Sequence, residues 1–403
     1  LGTGILKISR SQTSGPFMSD FSSWGPSPDL EIKPEITAHG GMILSSVPGQ
    51  AYDRISGTSM ACPNVSGLVA ILRQYVRENF PAIADNNVEI AAVVNRLLMS
   101  TADIVINKNG LPYAVRKQGA GLANLTSAIA TDAYILTKDR KDGSIMDKSK
   151  IELGDDPAKK GVYTLNFSVY NFGSSSLSYD ISAYVMTEGI SDTKTNDGKY
   201  PVDEQGYLLE NGTPVEITNV SGGTLSGKNL TVAAGATADV TITVTVSDAD
   251  KEYLSRFENG MYIEGFVTME DEGEGVDLSI PYLAFYGDWT QAPMFDKSLY
   301  EVSHDKYDAS LKEEDKTVAA IFESVALGKA YKEYTEFYLP LGQYLYNMPN
   351  DADSGIEASV DKIAIGNSEY GIYEFYAMYL GMLRGASEMG IRVESAATGK
   401  VLL

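Results

Sequence analysis

The feature that most constrains this fold is a Gly-Thr-Ser string placed directly before a long apolar helical pattern. Residues 56–63 read SGTSMACP, and the next apolar residues recur with the spacing of one helix face: Val65, Leu68, Val69, Leu72 and Val76. The pattern predicts a helix over residues 59–77, with Ser59 in its first turn and the apolar face buried. Backbone N–H groups at a helix start lack intrahelical partners and favour negative charge. Ser59 can therefore present its hydroxyl while its own N–H faces a developing oxyanion.

The competing interpretation of this string is a simple helix cap, because Ser and Thr are common N-cap residues. The surrounding sequence favours the chemical interpretation. Residues 56–67 closely resemble the nucleophile segment of the subtilisin-like serine proteases, the subtilases. Further segments resemble others of that family in the same order: residues 21–26, 33–38, 43–46, 99–102 and 118–124. The resemblance covers residues 20–135 and is nearest to the cell-envelope proteinases.

The resemblance implies a role for each residue of the string. Ser59 would be the nucleophile that forms an acyl-enzyme, and its backbone N–H would be an oxyanion donor. Gly57, Thr58 and Pro63 would support it. Pro63 has no N–H, so the usual hydrogen bond back to Ser59 is missing from the first turn.

The resemblance also implies catalytic groups that the sequence does not show. Subtilases use Asp, His and an oxyanion Asn besides Ser, but no Asp-[Ser/Thr]-Gly or His-Gly-Thr-His string occurs here. His39 stands where the family usually has proline, so we interpret it as a loop residue, and His304 as a surface residue. Without a base the Ser59 proton has no acceptor.

We therefore expect the C-terminal part of a secreted or cell-wall-associated serine endopeptidase. Its partners would be a protein or peptide substrate and the missing N-terminal part of the catalytic domain, and the isolated chain would be inactive. The alternative is a non-catalytic surface adhesion or scaffold module.

Composition excludes other classes of function. The 403 residues carry a net charge of -22, which argues against a nucleic-acid partner. No apolar run is long enough to span a bilayer. The single cysteine, Cys62, excludes an internal disulfide, and we expect it to be small and packed.

The pattern predicts a multidomain chain whose second part is all-β. Residues 1–137 would be a partial α/β catalytic domain with a parallel sheet and a central helix, of which residues 1–20 resemble the end of a protease-associated insert. Residues 138–150 would be a linker. Alternation of period two then predicts a β-sandwich over residues 151–289. It resembles the fibronectin-type-III-like domain of C5a-peptidase-like and lactocepin-like subtilases. Its role would be either a structural support or a substrate-contacting surface.

The last part of the chain gives weaker patterns. Residues 290–403 are expected to be mixed or β-rich, as an incomplete second sandwich, with a helix near residues 318–325 and strands at residues 362–365 and 391–394. Tyrosines recur every third residue from Tyr370 to Tyr379, which fits a packed face or a carbohydrate-binding stripe. The acidic residues 270–274 form a solvated hairpin loop or a structural calcium site. No cofactor and no other metal are required.

Overall fold

The computed structural model divides the chain into two compact units, residues 1–289 and 290–403. The structure describes residues 16–139, 146–191, 202–257, 259–291, 326–331, 334–340, 343–346, 355–358, 374–379 and 397–401.

The first part of unit one is mainly helical. Its elements are the hairpin β1 Ile43–Val47 and β2 Ala51–Ile55, the helices α1 Thr58–Asn79, α2 Asn87–Ser100, α3 Val115–Gln118 and α4 Leu125–Ala130, and a 3-10 turn Pro81–Ile83. Leu72 and Val76 of α1 pack against Ile90 and Leu97 of α2 in one apolar core. The side chain of Asn86 caps α2 by accepting from two backbone N–H groups.

The predicted helix is confirmed, but its predicted burial is only partly right. Ser59 lies in the first turn of α1, and Leu72 is fully buried. Val65, Leu68 and Val69 are half-buried, and Cys62 is exposed rather than packed. The reason is that the fully buried side chains of α1 lie in its C-terminal half, and the described residues leave its first turns partly uncovered.

The predicted parallel sheet is not seen among residues 16–137 as described. The strands there form the antiparallel hairpin β1–β2, and parallel pairing is limited to the single bridge between Thr37 and Leu122. A parallel strand needs a neighbour brought alongside by a crossover connection, and the described residues supply that neighbour at one position only.

The second part of unit one is a sandwich of two sheets. Its strands are β3 Ala133–Asp139, β4 Met146–Lys148, β5 Ile151–Asp155, β6 Val162–Asn171, β7 Leu177–Ile190, β8 Val202–Leu208, β9 Val215–Ser221, β10 Thr224–Ser226, β11 Asn229–Val232, β12 Thr237–Thr245, β13 Met261–Asp271 and β14 Leu278–Tyr286, with the helix α5 Asp248–Leu254. One sheet has the order β4-β3-β6-β12-β9, and the other β10-β11-β7-β13-β14-β5, with β8 paired to β7.

Alternating side chains of both sheets fill one core, as the period-two pattern predicts. Leu165 and Val240 come from the first sheet, and Ile181 and Ile280 from the second. The neighbouring strands are antiparallel except for the pair β14–β5.

The two parts of unit one are joined by a strand. β3 begins three residues after α4 ends, and it pairs directly with β6 of the sandwich. Residues 138–150, which we predicted as a linker, include the end of β3 and the whole of β4, and these two strands pair with each other.

A buried ion cluster holds the two parts together. Arg116 of α3 is 6% exposed, and its guanidinium lies 3.0 Å from Glu264 of β13, which is 1% exposed. The backbone N–H of Arg116 donates to the same carboxylate at 3.0 Å. Glu188 lies 3.5 Å from the guanidinium, and the Tyr262 ring lies under it at 3.8 Å. Both charges of the Arg116–Glu264 pair are thus removed from water and compensated by each other.

A second set of contacts reinforces this junction. The buried Lys150 ammonium lies 2.9 Å from Glu35 and 2.9 Å from Glu152. The Ile32 N–H donates to Glu152 at 2.7 Å, and the Trp289 indole N–H donates to the Pro28 carbonyl at 2.9 Å.

Unit two contains strands wherever an element of it is described. They are β15 Ala326–Tyr331, β16 Tyr334–Pro340, β17 Gln343–Tyr346, β18 Gly355–Ala358 and β19 Glu374–Tyr379. β15 pairs with both β16 and β19, and β17 pairs with β18. Tyr376 and Tyr379 fall in β19, whereas Tyr370, Tyr373, His304, the predicted helix and the strands predicted at residues 362–365 and 391–394 lie outside the described residues.

Removing Glu264 should destabilise unit one far more than removing Glu188. Glu264→Gln leaves the buried guanidinium without its nearest charge, which costs about 3 kcal/mol or more in unfolding free energy. Burial is the largest influence on Glu188 and raises the pKa of its carboxyl, so its ionised form is held at a cost in the folded state. Glu188→Gln should therefore cost less than about 1 kcal/mol at pH 7, measured by urea unfolding.

The pH dependence of the unfolding free energy tests the Glu188 carboxyl further. As pH rises above 4.5, the ordinary pKa of Glu188, the unfolded chain releases this proton before the folded chain does. The native protein therefore loses stability relative to Glu188→Gln over that window. Equal losses of unfolding free energy for the two variants at pH 7 would contradict this account. So would a stability difference between the native protein and Glu188→Gln that does not change with pH.

Candidate active site

The turn that carries Ser59 is built by backbone contacts with a neighbouring loop. The hairpin β1–β2 delivers the chain to Ser56, whose hydroxyl accepts from the Met42 N–H at 2.8 Å. The Gly57 N–H donates to the Gly40 carbonyl at 2.9 Å. Residues 40–42 therefore fix the position from which α1 starts.

Gly40 is needed because no side chain fits there. A Cβ built on Gly40 would lie 2.7 Å from the Gly57 carbonyl oxygen and 3.2 Å from the Ala61 Cβ. Both neighbours belong to the start of α1 and cannot move without moving it. At Gly57 itself a Cβ would meet only ordinary contacts, so close approach restricts Gly40 and not Gly57.

Ser59 is exposed at the second residue of α1, and it does not cap the helix. The N-cap is Gly57, and no side chain makes a capping hydrogen bond there. The cap interpretation of Thr58 and Ser59 is therefore wrong for this helix. Pro63 lies inside α1, so the Ser59 carbonyl lacks its usual N–H donor four residues on. N–H groups at the start of a helix lack intrahelical acceptors, which favours negative charge beside this turn.

A cleft of about 720 Å³ opens beside this helix start. Its lining is largely apolar and includes Phe17, Met18, Phe21, His39, Thr58 and Leu122. Phe17 and Phe21 are 46% and 47% exposed, so their rings offer apolar surface to a ligand. A cleft of this size and character suits a peptide side chain or a short extended peptide.

The floor of the cleft is braced by a Gly-Ala-Gly turn. The Thr37 N–H donates to the Gly121 carbonyl at 2.9 Å, and the Ala123 N–H donates to the Thr37 carbonyl at 2.9 Å. Gly119 has φ 65°, and a Cβ there would lie 2.4 Å from the backbone of Glu35. The string GAG at residues 119–121 is the sequence signal for this close packing.

Gln118, the first residue of the 118–124 segment, supports the turn with its side chain. Its buried amide oxygen accepts from the Val105 N–H at 2.7 Å. Its amide nitrogen donates to the carbonyls of Val105 at 3.2 Å and Tyr113 at 2.7 Å. These bonds fold residues 105–118 onto the turn that carries Gly119.

The described residues do not bring a base to Ser59. His39 is an exposed loop residue in the cleft wall, and no hydrogen bond with a described residue reaches its ring or the Ser59 hydroxyl. His304 lies outside the described residues. The described arrangement therefore presents an exposed hydroxyl at a helix start, and a catalytic role for that hydroxyl would require a proton acceptor.

The acidic hairpin behaves as an anchored loop. Asp271 accepts from the N–H groups of Gly273 and Gly275, each at 2.8 Å, and its own N–H donates to Asp277 at 2.8 Å. Within the described ranges, no group of three or more His, Cys, Asp or Glu residues is arranged to hold a metal ion. The same ranges contain no helix with the length and apolar character to cross a membrane.

Two families match this chain in succession. The Subtilase family matches residues 5–121, and the Fn3-like domain matches residues 151–283. The C5a peptidase of Streptococcus pyogenes serotype M1 is 30% identical over 290 residues, which cover 72% of this chain and 22% of the relative. The PIII-type proteinase of Lactococcus lactis subsp. cremoris is 26% identical over 395 residues, which cover 95% of this chain and 18% of the relative. The chain thus spans about a fifth of the length of these curated relatives.

A matched pair of glycine variants tests the turn that positions Ser59. Gly40→Ala forces a methyl group into the start of α1 and should destabilise unit one by about 1–3 kcal/mol. Gly41→Ala adds the same methyl group, but its Cβ meets nothing closer than the Ser19 hydroxyl at 3.6 Å, so stability should hardly change. Urea unfolding followed by circular dichroism compares them. If both variants unfold like the native chain, the close contact at Gly40 does not constrain the turn.

Proposed function

Because the chain carries a subtilase segment followed by an Fn3-like domain, we propose that it is part of a serine endopeptidase whose nucleophile is Ser59. The observation that carries this is the position of Ser59: exposed, in the first turn of α1, and not used as a cap. A hydroxyl held there can attack a carbonyl carbon while helix N–H groups face the resulting oxyanion. Gly57 and Thr58 set the start of the helix, and Pro63 removes the hydrogen bond that the Ser59 carbonyl would otherwise accept in the first turn.

The reaction would proceed through an acyl-enzyme. The Ser59 oxygen bonds to the peptide carbonyl carbon, the amine leaves with a proton, and water then releases the acyl group from Ser59. The hydroxyl proton must pass to a base as the first bond forms. We propose that the base, the Asp that orients it and the oxyanion Asn come from residues outside these 403, in the remaining catalytic domain.

The substrate would be a protein or peptide that lies in the apolar cleft beside α1. Phe17, Phe21 and Leu122 offer apolar contacts there, and the Thr37 turn supplies a rigid floor. We place the protein outside the cell or at the cell wall, as its resemblance to cell-envelope proteinases implies. Without the remaining groups, this chain alone should be inactive, because loss of the base costs on the order of 10⁶ in turnover in the serine-protease precedent.

Labelling with a fluorophosphonate tests the assignment of Ser59. The 403-residue chain alone should not be labelled, whereas a longer polypeptide that contains these residues and supplies the base should be labelled in a 1:1 ratio. The label should vanish in Ser59→Ala and persist in Ser66→Ala, since Ser66 lies exposed on the same helix and its hydroxyl donates to the Cys62 carbonyl. Mass spectrometry of the labelled peptide identifies the site.

Two results would refute the proposal in different ways. Labelling of Ser59 in the 403-residue chain alone would mean that a base lies within it. A longer polypeptide that is folded but not labelled at Ser59 would favour the non-catalytic surface module instead.

A further inference from the structure

A second cleft, of about 440 Å³, lies where the helical part of unit one meets the sandwich. One wall is the segment that follows α2, and the other is the hairpin between β13 and β14. The polar residues of the lining are Thr101, Asp103, Ser127, Thr268, Glu270, Asp277 and Ser279. This acidic cleft is separate from the apolar cleft beside the start of α1 and shares no lining residue with it.

One hydroxyl in the acidic cleft is buried without a partner. Ser279 is 5% exposed, and its Oγ makes no hydrogen bond with any residue that the structure describes. Its neighbours Leu278 and Ile280 point into the sandwich core, so alternation along β14 turns Ser279 to the opposite face. That is the face on which Leu283 packs against Ile32 and Val115 of the helical part. A buried polar atom without a partner is costly, and a ligand in the cleft would supply the missing bond.

Two other hydroxyls in the lining of this cleft, those of Thr101 and Thr268, already form hydrogen bonds. The Thr101 hydroxyl donates to the Leu97 carbonyl at 2.8 Å, and the Thr268 hydroxyl lies 2.6 Å from the Ser182 hydroxyl. Ser279 is thus set apart from Thr101 and Thr268, which line the same cleft.

Three carboxylates line the same cleft as Ser279, and the described residues place no cation beside them. Among the described residues, Asp103, Glu270 and Asp277 form no ion pair. Two of them are held in place by hydrogen bonds that leave acceptor capacity free: Asp103 accepts from the Asn124 amide at 3.1 Å, and one oxygen of Asp277 accepts from the Asp271 N–H. These two carboxylates are held in place without a ligand, which lowers the ordering cost of binding.

We propose that the acidic cleft binds a basic side chain, arginine or lysine, of a polypeptide. Its carboxylates and the Ser279 oxygen are all acceptors, and guanidinium and ammonium groups are pure donors with several N–H bonds each. A metal ion fits less well, because the described carboxylates are not grouped as metal ligands. The volume suits one long side chain with its flanking backbone. The proposal concerns a site apart from Ser59 and holds whether or not the chain hydrolyses peptides.

Titration calorimetry with two short peptides tests the chemistry of the ligand. Acetyl-Gly-Arg-Gly-amide should bind the 403-residue chain, and the peptide with citrulline in place of arginine should bind at least about tenfold more weakly, since it keeps the shape but loses the charge. Binding should also weaken as salt rises. Equal affinity for the two peptides, or no heat of binding for the arginine peptide up to about 10 mM, would overturn the proposal.

Single substitutions locate the site with a matched control. Glu270→Gln and Asp277→Asn should each weaken arginine-peptide binding by about fivefold or more, and Ser279→Ala should weaken it by a smaller factor. Glu272→Gln removes the same charge from the same hairpin, but Glu272 does not line the cleft, so affinity should be unchanged. If Glu272→Gln weakens binding as much as Glu270→Gln, attraction to the whole acidic surface accounts for the binding and the site is wrong. Calcium that displaces the peptide by direct competition would likewise overturn the assignment.

Discussion

The buried guanidinium of Arg116 is the contact on which the arrangement of residues 16–289 depends. Its partners Glu264 and Glu188 belong to the sandwich, whereas Arg116 itself belongs to the short helix α3. A charge buried this deeply cannot leave its partner without a large free-energy cost, so α3 has one position on the sheet. The chain leaving α3 enters the Gly119–Gly121 turn, which braces Thr37 in the apolar cleft beside the start of α1. The geometry of the cleft therefore depends on Glu264 in β13 of the sandwich.

How much of this could be read from the sequence depends on how local each signal is. The helix α1 and strands β6, β7, β12 and β14 follow from spacing within a dozen residues, and their type and approximate bounds were predictable. Burial along α1 was overestimated, because it depends on which distant residues cover the first turns. The partners Arg116 and Glu264 are 148 residues apart, and no local pattern in the sequence links the two. Their pairing is a property of the folded sheet, and one chain read alone does not reveal it.

The same distinction applies to the candidate sites. The Ser59 string is recognisable because nucleophile, turn and helix start are contiguous, and its neighbours at residues 33–38 and 118–124 strengthen it. The contact between Gly40 and Gly57 requires the folded loop. Ser279 gave no signal at all, since a serine between two apolar residues in a strand is ordinary alternation. Only the approach of the segment after α2 turns that serine into a buried acceptor beside three carboxylates.

The strand β3 has a mechanical consequence. It starts three residues after α4 and is at once hydrogen-bonded to β6, so no slack chain lies between the helical part and the sandwich at this point. A rotation or displacement of the sandwich is therefore transmitted directly to α4 and the helices packed against it. A ligand bound at one edge of the sandwich would therefore keep a fixed orientation relative to the start of α1, whereas a flexible linker would allow that orientation to vary.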